Sequence, residues 1–216
     1  MCETNDLPAG KFSTWFKEIL QSETGKNGMD VPCGSCTACC KSSYFIHVRP
    51  EEKETIAHIP KNRLFPAPGL PKGHMVLGYN QDGHCPMLVD DKCSIYVHRP
   101  QTCRNYDCRV FAAAGIIPDE KDKALIHKQS SRWKFSYPHP EDEKLQSALK
   151  RTAAFLLTHA SDFPKGFLPS NRTQLAGLAV KVSAVFLDMD EKSGKKRQEK
   201  SVSEIVDAII EKVKTS

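Results

Sequence analysis

Several absences bound this chain before any motif is read. No apolar run approaches the roughly 20 residues that a membrane span needs. The first residues, Met1-Cys2-Glu3-Thr4-Asn5-Asp6, carry neither the basic stretch nor the apolar run of a secretory signal. The expected setting is therefore a reducing cytoplasm. No G-x-G-x-x-G follows a strand, and G-x-x-x-x-G-K-[ST], H-E-x-x-H and G-x-S-x-G are all missing, so no nucleotide cofactor or serine-hydrolase elbow is indicated. The C-x3-C-x2-C spacing of radical S-adenosylmethionine enzymes is missing too. Aromatics make up only 8% of the chain, and none interleave with basic residues as single-strand stacking requires. The net charge of +5 adds little to the case for nucleic acid: from Lys181 to the end, eight basic residues face seven acidic ones. The one dense basic run, Lys195-Lys196-Arg197 beside Lys192 and Lys200, reads as a solvated linker. Neither a nucleic-acid nor a membrane partner is expected.

What the chain does have is cysteine, nine in 216 residues, eight of them between positions 33 and 108. A chain of this length can bury a core without disulfide staples. Clustered thiols in a reducing compartment therefore point to metal. Cys33, Cys36 and Cys39 stand at i, i+3 and i+6, a spacing that wraps three thiolates around one cluster, as the first three ligands of bacterial ferredoxin runs do. The fourth ligand must then come from elsewhere, and Cys85, followed by Pro86, is a candidate. Side chains of adjacent residues diverge, so Cys39 and Cys40 are expected to face different sites. The remaining thiols are Cys93, Cys103 and Cys108. Eight thiols divide into four plus four, which fits two zinc ions, two clusters or one polynuclear centre. The later spacings contain no C-x2-C knuckle, and this counts against ordinary structural zinc. Cys2, isolated near the terminus, is read as a thiol outside the set.

Along the chain, Phe12, Trp15, Phe16, Ile19 and Leu20 mark one helical face, and a Gly- and Pro-bearing loop from 21 to 32 leads to the first cysteines. Tyr44 to Val48 predicts a short strand, and Pro50-Glu51-Glu52 the first turn of a helix. Pro60 to Gly73 is expected to be irregular. Met75–Tyr79, His84–Val89 and Cys93–Tyr96 read as short strands joined by turns at Gln81-Asp82-Gly83 and Asp90-Asp91-Lys92. Pro100 begins a helical turn bearing Cys103 and Arg104. The second half changes character, with helical stripes at Leu145, Leu149, Ala153, Leu156, Ala160 and at Leu175, Leu178, Ala179, Val182, Val185, Phe186. A polar linker from Asp188 to Lys200 precedes Val202, Ile205, Val206, Ile209, Ile210 and Val213, with Ser201 and Glu204 spaced as a capping box. This last helix either packs on its own domain or docks a redox or protein partner. The expected organisation is a helix and loop over 1–30, a cysteine-cluster metal-binding domain over 31–111, a helical region over 112–187, and a linker and amphipathic helix over 188–216. The fold class is α+β: a small irregular metal-organised core with short strands, flanked by helices, and a mostly helical C-terminal half.

The ordered segments Cys33-x2-Cys36-x2-Cys39-Cys40, Gly83-His84-Cys85-Pro86-Met87-Leu88, Cys93-Ser94-Ile95-Tyr96 and Arg99-Pro100-x2-Cys103-Arg104-x-Tyr106-x-Cys108 resemble the CxxCxxCC cysteine-cluster family, also called the YkgJ type, a zinc- or iron-chelating domain. The resemblance covers about residues 33 to 109. It implies metal chelation, commonly by an iron–sulfur cluster (4Fe-4S), in bacterial cytoplasmic proteins, with Cys33, Cys36, Cys39, Cys40, Cys85, Cys93, Cys103 and Cys108 as ligands. A flagellin lysine N-methylase carries a related domain, although nothing from 113 to 216 extends the match to that enzyme.

The motif's other residues have physical readings of their own. Arg99 and Arg104 could offset thiolate charge and tune a cluster, or Arg99-Pro100 could merely cap a turn. Tyr96 and Tyr106 could wall the site from water or pack in the core. His47, His84 and His98 lie close enough in sequence to ligate or relay protons, although a surface or hydrogen-bonded histidine is the plainer reading of each. The leading expectation is an iron–sulfur protein with a redox or catalytic role. A non-enzymatic zinc module is the alternative, and protein-lysine methyl transfer, by family analogy alone, is the third reading.

Overall fold

The structure, a computed structural model, describes residues 6–24, 28–29, 31–118, 121–187 and 200–215. Cys2 and most of the expected linker, including Lys192 and Lys195-Lys196-Arg197, lie outside the described residues. The fold is α+β, as expected, and the chain divides into two units that interleave along the sequence. One comprises Gln21–Cys108 and Asp119–Gln129, the other Met1–Leu20, Arg109–Pro118 and Ser130–Ser216.

The cysteine-bearing unit is built on short elements. Strand β2 (Ile46–Val48) pairs antiparallel with β4 (Met75–Leu77), which pairs on its other side with β3 (Leu64–Pro66). β3 lies in the Pro- and Gly-rich stretch expected to be irregular. Pro66 is tolerated because it ends an edge strand, where a missing N–H costs no central ladder bond. A hairpin follows, β5 (Leu88–Val89) and β6 (Lys92–Cys93), turned by Asp90 and Asp91 at φ of 48° and 55°. Aspartate tolerates that left-handed region better than most residues. Helix α2 (Lys53–His58), the short helix α3 (Gln101–Asn105) and, from the later segment, α5 (Ala124–Ser130) complete the frame. Val48, Ile59, Leu77, Met87 and Ile95 form its buried apolar cluster, with Cys85 and Cys93 packed against it. Apolar burial thus supplies part of the cohesion of this metal-organised core.

The other unit holds the long helices. Strand β1 (Leu7–Lys11) runs parallel to β7 (Trp133–Ser136) with a bulge between Pro8 and Gly10. Neither strand is legible in the sequence: Leu-Pro-Ala-Gly-Lys carries two residues depleted in strands, and its partner lies more than a hundred residues away. Helix α1 (Phe12–Thr24) buries Phe12, Trp15 and Ile19, with Phe12 edge-on to Phe135 at 5.1 Å. Leu20, expected on the same face, is exposed.

Helix α4 (Arg109–Ala114) packs on α6 (Pro140–Thr158) and α7 (Arg172–Val182). The α6 stripe buries Leu149, Ala153 and Leu156, but the helix ends at Thr158, which leaves Ala160 exposed in a following 3-10 turn. Asp142 anchors this unit: its carboxylate accepts from the Ser13 backbone N–H at 2.8 Å and from the His139 backbone N–H at 3.0 Å, satisfying donors at the starts of both α1 and α6. Helix α8 (Val202–Lys214) opens on the capping box expected at Ser201 and Glu204 and packs on α7. Ile205, Val206 and Ile209 are buried there, so its apolar face is engaged within the unit. No helix among the described residues is long and apolar enough to cross a membrane.

Candidate metal centre

Each thiol is held by a turn whose hydrogen bonds follow from local sequence. Gly34, at φ 55°, lets the chain reverse after Cys33, and the Cys36 N–H closes on the Cys33 carbonyl at 2.9 Å. Cys39 and Cys40 begin a 3-10 turn ending at Lys41, buttressed by Ser42 Oγ, which donates to the Ala38 carbonyl at 2.6 Å. The Cys85 N–H donates to the Cys40 carbonyl at 2.7 Å, which joins the second cysteine segment to the first. Next to it, the Ser43 N–H donates to Gly83 O at 2.9 Å. Gly83 has φ 78°, and a Cβ there would come within 2.4 Å of Ser43 Oγ, which accounts for glycine two residues before Cys85. Cys93 sits opposite Leu88 in the β5–β6 hairpin. Cys103 lies on α3, its N–H bound to Pro100 O at 2.9 Å.

The electrostatics sort these thiols. Burial pushes Cys85 up, opposed by backbone N–H bonds from Met87 and Leu88, and Cys40 and Cys93 add repulsion. Cys93 is likewise raised by burial and by Cys40, against a backbone N–H from Ile95. Cys103 is raised strongly by burial, then by Cys85, Cys40 and Cys93. Cys40, Cys85, Cys93 and Cys103 therefore form a quartet in which every pair interacts. Cys39 is driven far up by a hydrogen bond shared with Cys40, then by burial and by Cys40, Cys103 and Cys33. The same bond takes Cys40 down to about 7, against burial and with help from Lys41.

The backbone bond ties Cys85 to Cys40. Cys39 and Cys40 do not diverge fully, because the tight 3-10 turn keeps their thiols in contact.

This donor set fits a soft cation. Several half-buried thiols repel one another's charge, and only a positive ion among them would let them ionise together. Backbone N–H groups already directed at the sulfurs of Cys85 and Cys93 stabilise thiolate and fix its orientation.

The flanking residues divide by role. Arg99 lowers both Cys93 and Cys103, so its charge reaches the quartet, while its guanidinium carbon stands 4.0 Å over the Tyr96 ring. Arg104 instead donates from Nε to Arg99 O at 3.0 Å and from Nη2 to Val97 O at 2.9 Å, stapling the turn before α3. Tyr96 is 63% exposed. Tyr106 stands against Tyr44, hydroxyl to hydroxyl at 3.3 Å. Its own hydroxyl is pushed up by burial, then by Tyr44, and is sensitive to Cys108 and Cys39. Cys108 is buried and Cys33 exposed. His47 pairs with His74, ring nitrogens 2.8 Å apart, and the His84 N–H bonds Asn80 Oδ1. His98 stacks on His58.

Two lysines at the site carry no signal in the sequence motif: Lys41, beside Cys40, and Lys123, whose Nζ donates to Ser42 O at 2.6 Å and lies 4.4 Å from the Tyr44 ring centre. Lys123 could have been suspected only by looking past residue 109, where the motif cysteines end.

A cysteine quartet beside further thiols, with amides bonded to sulfur and an arginine whose charge reaches the thiols, is the donor set of a metal-chelating cysteine-cluster domain. Residues 32–131, a little under half of the chain, match the CxxCxxCC family model, described as "Putative zinc- or iron-chelating domain". The match extends beyond the cysteines through the segment that bears Lys123. No curated protein and no solved structure matches the chain.

Proposed function

We propose that the thiols hold an iron–sulfur centre and that the protein is a redox or catalytic iron–sulfur protein of the cytoplasm. One observation carries the choice of cluster over zinc. No three thiols among the described residues bring their sulfurs within 4.8 Å of one another. A zinc ion with thiolates at about 2.3 Å would hold its sulfurs within about 3.8 Å. Thiolates that each ligate a different iron are spread more widely, and the quartet adjoining Cys39 and Cys33 suits such a centre. Backbone amides bonded to sulfur, with Arg99 nearby, are the groups that tune a cluster's potential. When bound, the cluster would supply one-electron chemistry. The chain's own residues orient the thiolates through their turns and offset their charge.

The test is anaerobic purification followed at once by a visible spectrum and assays for iron, zinc and acid-labile sulfide. Brown protein with equimolar iron and sulfide is expected. Colourless protein with about two zinc ions, four thiolates each, would overturn the proposal and favour a structural zinc module.

A further inference from the structure

We propose that Glu54, His58 and His98 form a second metal site, separate from the thiols, that takes a divalent ion of the zinc type. One donor atom from each of the three residues lies within 4.8 Å of the others. Glu54 and His58 stand at i and i+4 on α2 and so share one face of the helix. His98 closes the group from the 3-10 turn Tyr96–His98, its ring stacked on His58 at 3.7 Å and 10°.

A second observation concerns orientation. His58 Nδ1 lies 2.8 Å from the Glu54 carbonyl oxygen, an atom that can only accept. Nδ1 therefore carries the ring proton and Nε2 presents its lone pair. Metal-binding histidines are usually fixed by this same bond from the non-ligating nitrogen to a backbone carbonyl.

The donor chemistry selects the ion. Two imidazole nitrogens and one carboxylate oxygen suit zinc, whereas calcium and magnesium want oxygen donors throughout. Zinc with ligands at about 2.1 Å holds its donors about 3.4 Å apart. The lone pairs of two parallel rings lie in planes that no single ion shares, so ligation requires the half-buried His98 ring to turn out of its stack while the Nδ1 bond holds His58 in place. Glu54 and His58 are exposed, so an ion enters directly from solvent, and three protein ligands leave a fourth position for water. The bound ion would clip α2 to the turn that runs straight into Arg99. None of this depends on which metal the thiols hold.

The test uses the full chain with its thiol centre as purified, and cobalt(II) as an element-specific stand-in for zinc. After loading and dialysis, wild type should retain one more cobalt per chain than Glu54→Gln, His58→Ala or His98→Ala. Iron or zinc already on the thiols should be unchanged in all four proteins. Cobalt-edge X-ray absorption on wild type should show nitrogen and oxygen donors with imidazole scattering and no sulfur. This second measurement keeps the test decisive should a variant fold poorly. Wild type that retains no cobalt, variants that retain it equally, or sulfur in the cobalt shell would each overturn the site.

Discussion

Arg99 and Arg104 sit five residues apart in one motif, and the structure predicts opposite consequences for replacing them. Arg104 forks onto two backbone carbonyls, Arg99 O at 3.0 Å and Val97 O at 2.9 Å. Hydrogen bonds from a charged donor contribute about 1.5–3 kcal/mol each when intact. Arg104 is half-buried and water would recover part of this, so Arg104→Gln should cost about 2–3 kcal/mol in total. For a chain of this size, that lowers the melting midpoint by about 4–12 °C. Arg99 makes one long bond, 3.5 Å to Tyr96 O, and stacks on an exposed ring. Such a stack contributes about 0.5–1 kcal/mol, so Arg99→Gln should melt within about 4 °C of wild type. Its charge, however, lowers Cys93 and Cys103, and removing it should loosen the thiol-bound metal. The assay pairs thermal melts of metal-loaded protein, at one fixed scan rate, with the rate of metal release to a chelator. Arg104→Gln should move the melt more than the release rate, and Arg99→Gln the reverse. Equal effects on both readouts, or a wild-type melt for Arg104→Gln, would refute the division of roles.

Three other outcomes follow from the packing. A Cβ on Gly28 would stand 2.5 Å from Arg104 Cβ and 2.7 Å from Arg104 O, the atom that accepts from the Met29 N–H. Gly28→Ala should therefore destabilise by about 1–3 kcal/mol in denaturant titration, and an unchanged midpoint would contradict the placement of that loop. Asp142 is held below the ordinary carboxylate range: burial opposes its ionisation, but bonds from Ser13 and the His139 backbone outweigh burial. A depressed folded-state pKa adds stability that is present above the unfolded value near 3.9 and lost as pH falls through the folded one. Asp142→Asn should thus be less stable than wild type at pH 6, with the gap narrowing toward pH 3; a gap independent of pH would sink the argument. Ile209 is fully buried where α8 meets α7, and Ile209→Ala should cost about 2–5 kcal/mol by thermal or chemical unfolding. A near-neutral result would mean that α8 leaves α7 in solution.

Sequence reasoning reaches far where local chemistry is decisive. The capping box at Ser201 and Glu204, the helix turn after Pro100 and most of the α6 and α7 stripes follow from spacing within a few residues and correspond to described elements, although Ala160 lies past the end of α6 and Val185 and Phe186 past the end of α7. The parallel pairing of β1 with β7 is not legible, because neither Leu-Pro-Ala-Gly-Lys nor its distant partner announces a strand alone. The β3 strand is hidden by its prolines and glycines, which local rules read as irregular.

The metal-binding character of this chain was determined by its sequence, since eight thiols within 76 residues leave little other chemistry open. Which thiols associate was decided only by the tertiary structure. The Cys85 N–H reaches the Cys40 carbonyl across 45 positions, and Cys93 and Cys103 join them through a hairpin and a helix. The same holds for Glu54, His58 and His98: helical periodicity pairs the first two, and only the packing of the 96–98 turn brings the third. Spacing specifies which side chains share a turn or a face, whereas the approach of distant segments depends on burial and backbone pairing summed over the whole unit.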